Sequence, residues 1–391
     1  MSQLTLPSST RPTAPLAPER LFAQPAATRP LLYIDLACIS DTYTTFRQAL
    51  PMATVHYAMK CNPHPQVLEH IKALGGSFEI ASYNELALLQ KIGVNPAEVL
   101  YSNPVKSPRD IRRAYAAGLR CFAFQSEDEL QKFAALKKSD IKVYLRLTTP
   151  LGKSTVASEA KFGQPATSED EQKHAVSLME QARGAGLEPY GLAFHVGSQM
   201  EDPEAWTESL RNTGTLMELL QQSGIHITML DIGGGFPAYH SANIPPLSVF
   251  GKAISRELAK LPYQPAKVAI EPGRALVSDA GALVAEVYGK ALRNGQWWLY
   301  LSVGAFNGLM EALESGTELQ YPMVDSRGSA EQASYVITGP SCDSQDTISM
   351  SQLLSSDIQT GDRVIIYTTG AYTTAYASGF NGMPTPRVIC S

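Results

Sequence analysis

From Leu31 to about residue 273, short runs of β-branched and aromatic residues alternate with longer stretches whose apolar positions recur every three or four residues. The runs Thr54–Met59, Ser77–Ala81, Val99–Ser102, Arg120–Phe124, Lys142–Leu147, Gly191–His195, Thr228–Ile232 and Lys267–Glu271 read as strands. Pro65–Leu74, Asn84–Ile92, Arg109–Ala117, Glu127–Leu136, Glu169–Ala185 and Ala205–Gln222 read as helices. Eight β/α units in about 240 residues favour an α/β fold of the closed (β/α)8 TIM-barrel type over an open doubly wound sheet. Beyond Arg274 the rhythm changes. Ala282–Tyr288, Trp297–Val303, Ala333–Thr338 and Arg363–Thr368 are strand-like with few helices between them. Residues 31–273 are therefore expected to form the barrel and 274–391 a β-sandwich or β-barrel domain, which the strand near 31–36 could join. Residues 1–30, rich in Pro, Ala, Thr and Ser, read as a flexible arm, with an organelle-targeting segment as the alternative.

Charge and cysteine usage narrow the function classes. A net charge of -5 leaves no basic footprint for nucleic acid. No apolar run approaches the ~20 residues of a membrane span. Cys38, Cys61, Cys121, Cys342 and Cys390 are scattered, odd in number and without metal-ligand spacing, which fits a reduced cytoplasmic chain and no bound metal.

A barrel gathers its chemistry at the C-terminal ends of its strands, where this chain carries Lys60, Glu79, Arg146, His195, Gly233, Gly234, Gly235, Glu271, Gly273 and Arg274. Lys60 stands between the run ending at Met59 and the turn Asn62-Pro63. Desolvation there is expected to lower its pKa and expose a neutral amine able to form a Schiff base with an aldehyde, pyridoxal 5'-phosphate being the obvious one. Three consecutive glycines let backbone N–H groups approach a phosphate, and Glu271-Pro272-Gly273-Arg274 adds an acid and a cation. Each motif alone has a plainer reading: a solvated edge lysine, a flexible turn, a surface ion pair.

As a set the motifs are specific. Tyr57-Ala58-Met59-Lys60-Cys61-Asn62, Phe78-Glu79-Ile80-Ala81-Ser82, His195-Val196-Gly197-Ser198, Leu230 to Pro237, Glu271 to Arg274, Gly339-Pro340-Ser341-Cys342-Asp343, Gly370-Ala371-Tyr372 and Phe380-Asn381-Gly382 occur in this order. In them the chain resembles the fold-type III pyridoxal-phosphate decarboxylases, the ornithine decarboxylase-like group with an alanine-racemase-type barrel. The resemblance implies that Lys60 is the Schiff-base lysine and that His195 stacks on the ring. Ser198, Gly233–Gly235, Arg274 and Tyr372 would hold the phosphate. Glu271 would keep the pyridine nitrogen protonated, so that the ring accepts the electrons left when CO2 departs. Glu79 and Arg146 would brace the cofactor, with Glu85 behind them.

The same resemblance implies a homodimer with shared active sites. Cys342 and Asp343 would enter from the neighbouring subunit, the cysteine guiding protonation at the substrate Cα and the aspartate meeting its distal ammonium. Glu314, Ser315 and Phe380 are the remaining substrate-side residues. L-ornithine, converted to putrescine and CO2 in polyamine biosynthesis, is the first substrate to consider. L-lysine, 2,4-diaminobutyrate or a related amine conjugate are alternatives, and a non-catalytic homologue that binds a regulatory protein is the alternative of another class. Thr148–Gly163 reads as a loop after the fifth strand that either closes over substrate or is simply long.

Overall fold

The computed structural model describes residues 16–24, 28–149, 161–240 and 244–391. Strand β1 (Leu31–Ile34) precedes a barrel of eight parallel strands: β2 (Ala53–Ala58), β3 (Ser77–Ile80), β4 (Leu100–Tyr101), β5 (Cys121–Phe124), β6 (Lys142–Leu147), β7 (Glu188–Phe194), β8 (Met229–Asp231) and β9 (Lys267–Ile270). The barrel closes where β2 pairs with β9, Ala53 opposite Val268 and Val55 opposite Ile270. Alternation along each strand divides the side chains into two sets. Tyr101, Phe122, Leu145, Leu192, Leu230 and Ile270 belong to the main core shared with the helices. Leu100, Cys121, Ala123, Tyr144, Tyr190, Ala193, Met229 and Ala269 form a separate small cluster that fills the barrel.

The helices start where their sequences cap them. Ser82 and Ser107 accept from Glu85 N and Asp110 N, and Ser168 with Glu171 forms a reciprocal capping box ahead of Glu169–Gly184. Leu36–Ala49 packs on Leu247–Leu258, and the rings of Phe46, Trp206 and Phe250 meet around Phe236, just past the glycine triplet. This packing fixes the backbone on which the triplet sits.

The second unit is an eight-stranded sheet. β10 (Gly281–Arg293) is 13 residues long and pairs with β15 (Arg363–Tyr367) and β1 over its first half and with β11 (Gln296–Leu301) over its second. β12 (Met323–Asp325), β13 (Gln332–Thr338) and β14 (Thr347–Ser355) complete the order β12-β15-β10-β11-β13-β14, and β16 (Arg387–Cys390) runs parallel to β1.

Part of the N-terminal arm, read from sequence as flexible, is docked on this sheet. Pro18–Phe22 is helical with Leu21 buried, the Arg363 guanidinium donates to the carbonyls of Phe22 and Gln24, and Tyr367 donates to the Leu16 carbonyl at 2.9 Å. The proposed closing loop lies mainly outside the described residues. Its described end is anchored by Gly163 N to Gln125 Oε1 at 2.7 Å. Among the described residues no helix is long and apolar enough to cross a membrane.

Candidate active site

Strand β2 ends in the one-turn helix Met59–Cys61, so Lys60 leaves the barrel rim at the strand's C-terminal end. Ala58 is in register with Glu79 on β3, which sets the buried Glu79 carboxylate beside the Lys60 amine. The Lys60 side chain remains reachable from the cleft although barrel atoms surround it. Its pKa is raised, not lowered as the sequence suggested. Glu79 is the main cause, helped by Cys61 and Glu271, and outweighs burial and the nearby Arg146. Burial pushes Glu79 up to about 8 against the pull of Lys60. The ligand-free lysine is thus stored as an ammonium next to an acid.

Ala58, Lys60, Cys61, His195, Ser198, Gly235, Phe236, Glu271, Gly273, Arg274 and Tyr372 line one cleft between barrel and sheet. His195 follows β7, and its Nδ1 accepts from Gly197 N at 3.0 Å. Burial, with Arg146 and Lys60 adding, lowers its pKa to about 3, so the imidazole is neutral. The glycine triplet is demanded by packing. Gly233 and Gly235 have positive φ, and a Cβ at Gly233, Gly234 or Gly235 would run into the carbonyls of Phe194, Glu271 and Gly197 respectively. A side chain at Gly273 would strike the Cys61 sulfur and Ala58.

Arg274 is almost fully buried and donates to Ser198 Oγ at 3.3 and 3.1 Å from Nε and Nη2. Its Nη1 donates to Glu311 Oε2 at 2.7 Å and its Nη2 to Glu311 Oε1, a two-point pair. Glu311 outweighs the burial that would lower the Arg274 pKa and holds it above the usual value. The Tyr372 ring lies 5.0 Å from the guanidinium. Tyr372 itself has a φ of 58°, costly for an aromatic residue, and donates its N–H to the Cys61 carbonyl at 2.7 Å.

Glu271 ends β9 inside the barrel. Ser102 Oγ donates to its Oε1, and the Tyr144 hydroxyl lies 2.8 Å from Ser102 Oγ. Burial, then the neighbouring Asp231, hold the Glu271 pKa well above the usual carboxylate range. Arg146, at the end of β6, faces the Phe162 ring at 5.4 Å. Glu85 binds the Ala81 N–H at 2.5 Å at a helix start, behind this group.

Other expected residues lie apart. Cys342 is exposed and hydrogen-bonded to Asn381 Oδ1 at 3.3 Å, Asp343 Oδ1 accepts from Gln345 N at 2.8 Å, and the exposed Phe380 ring lies 5.0 Å from Phe306. None of the three lines the Lys60 cleft of its own chain. Glu314 is exposed on the one-turn helix Glu311–Glu314. Ser315 is buried, its hydroxyl accepting from Leu319 N at 3.1 Å and donating to Ala312 O at 3.3 Å to close that turn. Sequence reasoning gave no role to Ser102, Asp231 or Glu311. Ser102 and Asp231 stand at strand ends, which was the available signal, and Glu311 is an acid entering a short helix that no local pattern ties to Arg274.

An amine, a neutral imidazole, a barrel-end carboxyl and an arginine clamped with serine and tyrosine fit an aldehyde cofactor with a ring nitrogen and a phosphate. Residues 36–278 match the family model described as the pyridoxal-dependent decarboxylase, pyridoxal binding domain. The chain is 33% identical over 358 residues to the lysine/ornithine decarboxylase of Selenomonas ruminantium, covering 90% of this chain and 87% of that one. Antizyme inhibitor 2 of Xenopus laevis is 29% identical over 364 residues, 89% of this chain and 78% of the relative. The structure of the Vibrio vulnificus lysine/ornithine decarboxylase complexed with putrescine superposes with a TM-score of 0.84 at 34% identity, covering 95% of this chain and 96% of that one. Site chemistry and likeness agree: this chain belongs to the ornithine decarboxylase-like, fold-type III decarboxylases and is a pyridoxal-phosphate-dependent decarboxylase.

Proposed function

We propose that the protein decarboxylates a basic L-diamino acid, L-ornithine in the first place, to give putrescine and CO2 as a step of polyamine biosynthesis. The observation that carries this reading is the acid-bearing helix Glu311–Glu314 set against Arg274 at the edge of the Lys60 cleft. Glu311 is neutralised by Arg274, while Glu314 is left free to meet a distal ammonium, which cannot enter a partly buried site without an anionic partner. The relatives support a basic substrate, since the enzymes of S. ruminantium and V. vulnificus are named lysine/ornithine decarboxylases and the latter was complexed with putrescine.

Bound cofactor supplies the electron sink for the carbanion. In our reading Lys60 provides the amine that captures it, and Glu79 holds that amine protonated until then. Arg274, Ser198, Tyr372 and the Gly233–Gly235 backbone take the phosphate. Neutral His195 would support the ring without adding charge, Glu271 would pair with the ring nitrogen, and Arg146 would brace the same wall. Cys342 and Asp343 would complete the site from a second copy, a reading supported by the exposure of Cys342 and by neither residue lining this chain's own cleft. Five free cysteines fit a cytoplasmic protein.

Purified protein offered ornithine, lysine, 2,4-diaminobutyrate, arginine and diaminopimelate should release CO2 fastest from ornithine, with Glu314→Gln raising KM far more than it lowers kcat. Consumption of diaminopimelate alone would reject the basic-substrate reading and the role given to Cys342 and Asp343. The antizyme-inhibitor relative suggests a binding role as the contrast: a protein that develops no long-wavelength absorbance with cofactor would belong there.

A further inference from the structure

Strand register places Asp231 on β8 opposite Ala269 on β9, and Ala269 belongs to the cluster filling the barrel. Two residues further on, Glu271 points to the same side, since alternate strand residues share a face. Asp231 is 1% exposed. Its Oδ1 accepts from Gly233 N at 2.9 Å, but its Oδ2 is buried with no N–H or O–H donor directed at it. The group that this register brings next to it is the Glu271 carboxyl, whose pKa the neighbouring Asp231 holds up. Two carboxylates cannot bond to each other; one must bring a proton.

We propose that Asp231 and Glu271 share one proton and act as a unit, which makes Asp231 a positioning residue for the ring-nitrogen contact of Glu271. The proposal rests on the reading that Glu271 faces that nitrogen. In the free protein the proton bridges the two groups, and the Ser102 hydroxyl donates to Glu271 from the other side. When Glu271 accepts an N–H from a ligand, the proton passes to Asp231 Oδ2. One O–H bond breaks and one forms, the pair keeps a single negative charge, and no proton is exchanged with solvent. Asp231 then becomes the donor that holds the Glu271 carboxylate toward the ring. The charged and titratable groups around the pair agree with a single retained proton. Glu79 opposes a second negative charge, Lys60 and Arg146 favour the first, and Tyr144 and Cys121 are buried alongside. Burial lifts Asp231 to about 6 and Glu271 further.

Asp231→Asn is the diagnostic variant because its amide oxygen can still accept from Gly233 while its NH2 donates to Glu271 without a titratable proton. In ligand-free protein at neutral pH, infrared spectroscopy should show a protonated-carboxyl stretch that loses one group's intensity in D231N, with Glu79→Gln identifying any share from Glu79. Asp231→Ala should weaken cofactor binding about tenfold, as loss of a hydrogen bond to a charged group does, and D231N should restore it. Should D231N fail to fold, Ser102→Ala removes a donor that favours ionised Glu271, so the stretch should persist to higher pH than in wild type. An unchanged carboxyl region in D231N, or in S102A across the titration, overturns the shared proton. If the stretch is lost in D231N yet Glu271→Gln leaves the absorbance of bound cofactor unaltered, the pair stands and the positioning role toward the ring falls.

Discussion

The Arg274 guanidinium and the Glu311 carboxylate form a buried two-point pair with side chains only 4% and 5% exposed. The residue just past the last barrel strand is thereby held by one from the short helix between β11 and β12 of the sheet. Removing the acid alone leaves a buried cation without a partner, which typically costs about 3–5 kcal/mol. Glu311→Ala should lose about that much stability in chemical denaturation without cofactor. Saturating pyridoxal phosphate should recover a larger part of the loss than it adds to wild type, because the phosphate supplies the missing anion. Equal ligand stabilisation of both proteins would detach Arg274 from the phosphate.

Lys60 owes its raised pKa first to Glu79. Replacing Glu79 with Gln should lower the apparent lysine pKa by about one unit or more, the scale on which a single close charge acts. The pH dependence of the rate at which cofactor absorbance appears would report it. A profile that stays in place would show that Glu79 does not set the lysine charge.

Stability should fall on both sides of a mildly acidic optimum in the ligand-free protein. His195 is depressed from 6.5 to about 3, so its contribution is complete above 6.5 and lost as pH falls toward 3. Glu79 is raised from 4.5 to about 8, so its contribution is complete below 4.5 and lost as pH rises to 8. His195→Gln should flatten the acid limb and Glu79→Gln the alkaline one, followed as midpoint against pH. A variant that leaves its limb unchanged would remove that residue from the account.

Cys342 is the exposed cysteine of the five. If it serves a neighbouring copy's site, its alkylation by a maleimide should slow as protein concentration favours the dimer, and substrate should slow it further. Cys342→Ala should retain cofactor absorbance while CO2 release drops. Labelling independent of concentration would argue against the shared site.

Much of this was legible beforehand because the barrel writes strand and helix periods in strict alternation. The eight barrel strands appear where the β-branched runs placed them, and Lys60, His195, Ser198, Glu271, Arg274 and Tyr372 converge on one cleft. Leu36–Ala49 was passed over although Asp35 caps it and Ile39, Tyr43 and Phe46 form its buried face, because Thr42, Thr44 and Thr45 weaken its helical signature. β12 is three residues long, and β14 carries serines and exposed Met350 and Leu353 that blur alternation. Lys60 illustrates a different limit. Burial alone argued for a lowered pKa, but the sign was decided by Glu79, a neighbour reached only through strand register. Glu311 and Arg274 are likewise joined by tertiary geometry with no local trace.

β1 pairs with β10 on one side and β16 on the other, Leu31 opposite both Val284 and Arg387. On the ribosome β1 therefore emerges ahead of both its partners, which are translated only after the whole barrel. Until then it is an unpaired apolar edge, the kind of surface that invites wrong pairing. The barrel, built from successive local units, can assemble during that interval, whereas the sheet that covers its cleft must be sewn from segments on either side of the barrel. Synthesis speed through residues 281–390 would accordingly govern the yield of properly closed enzyme more than speed through the barrel.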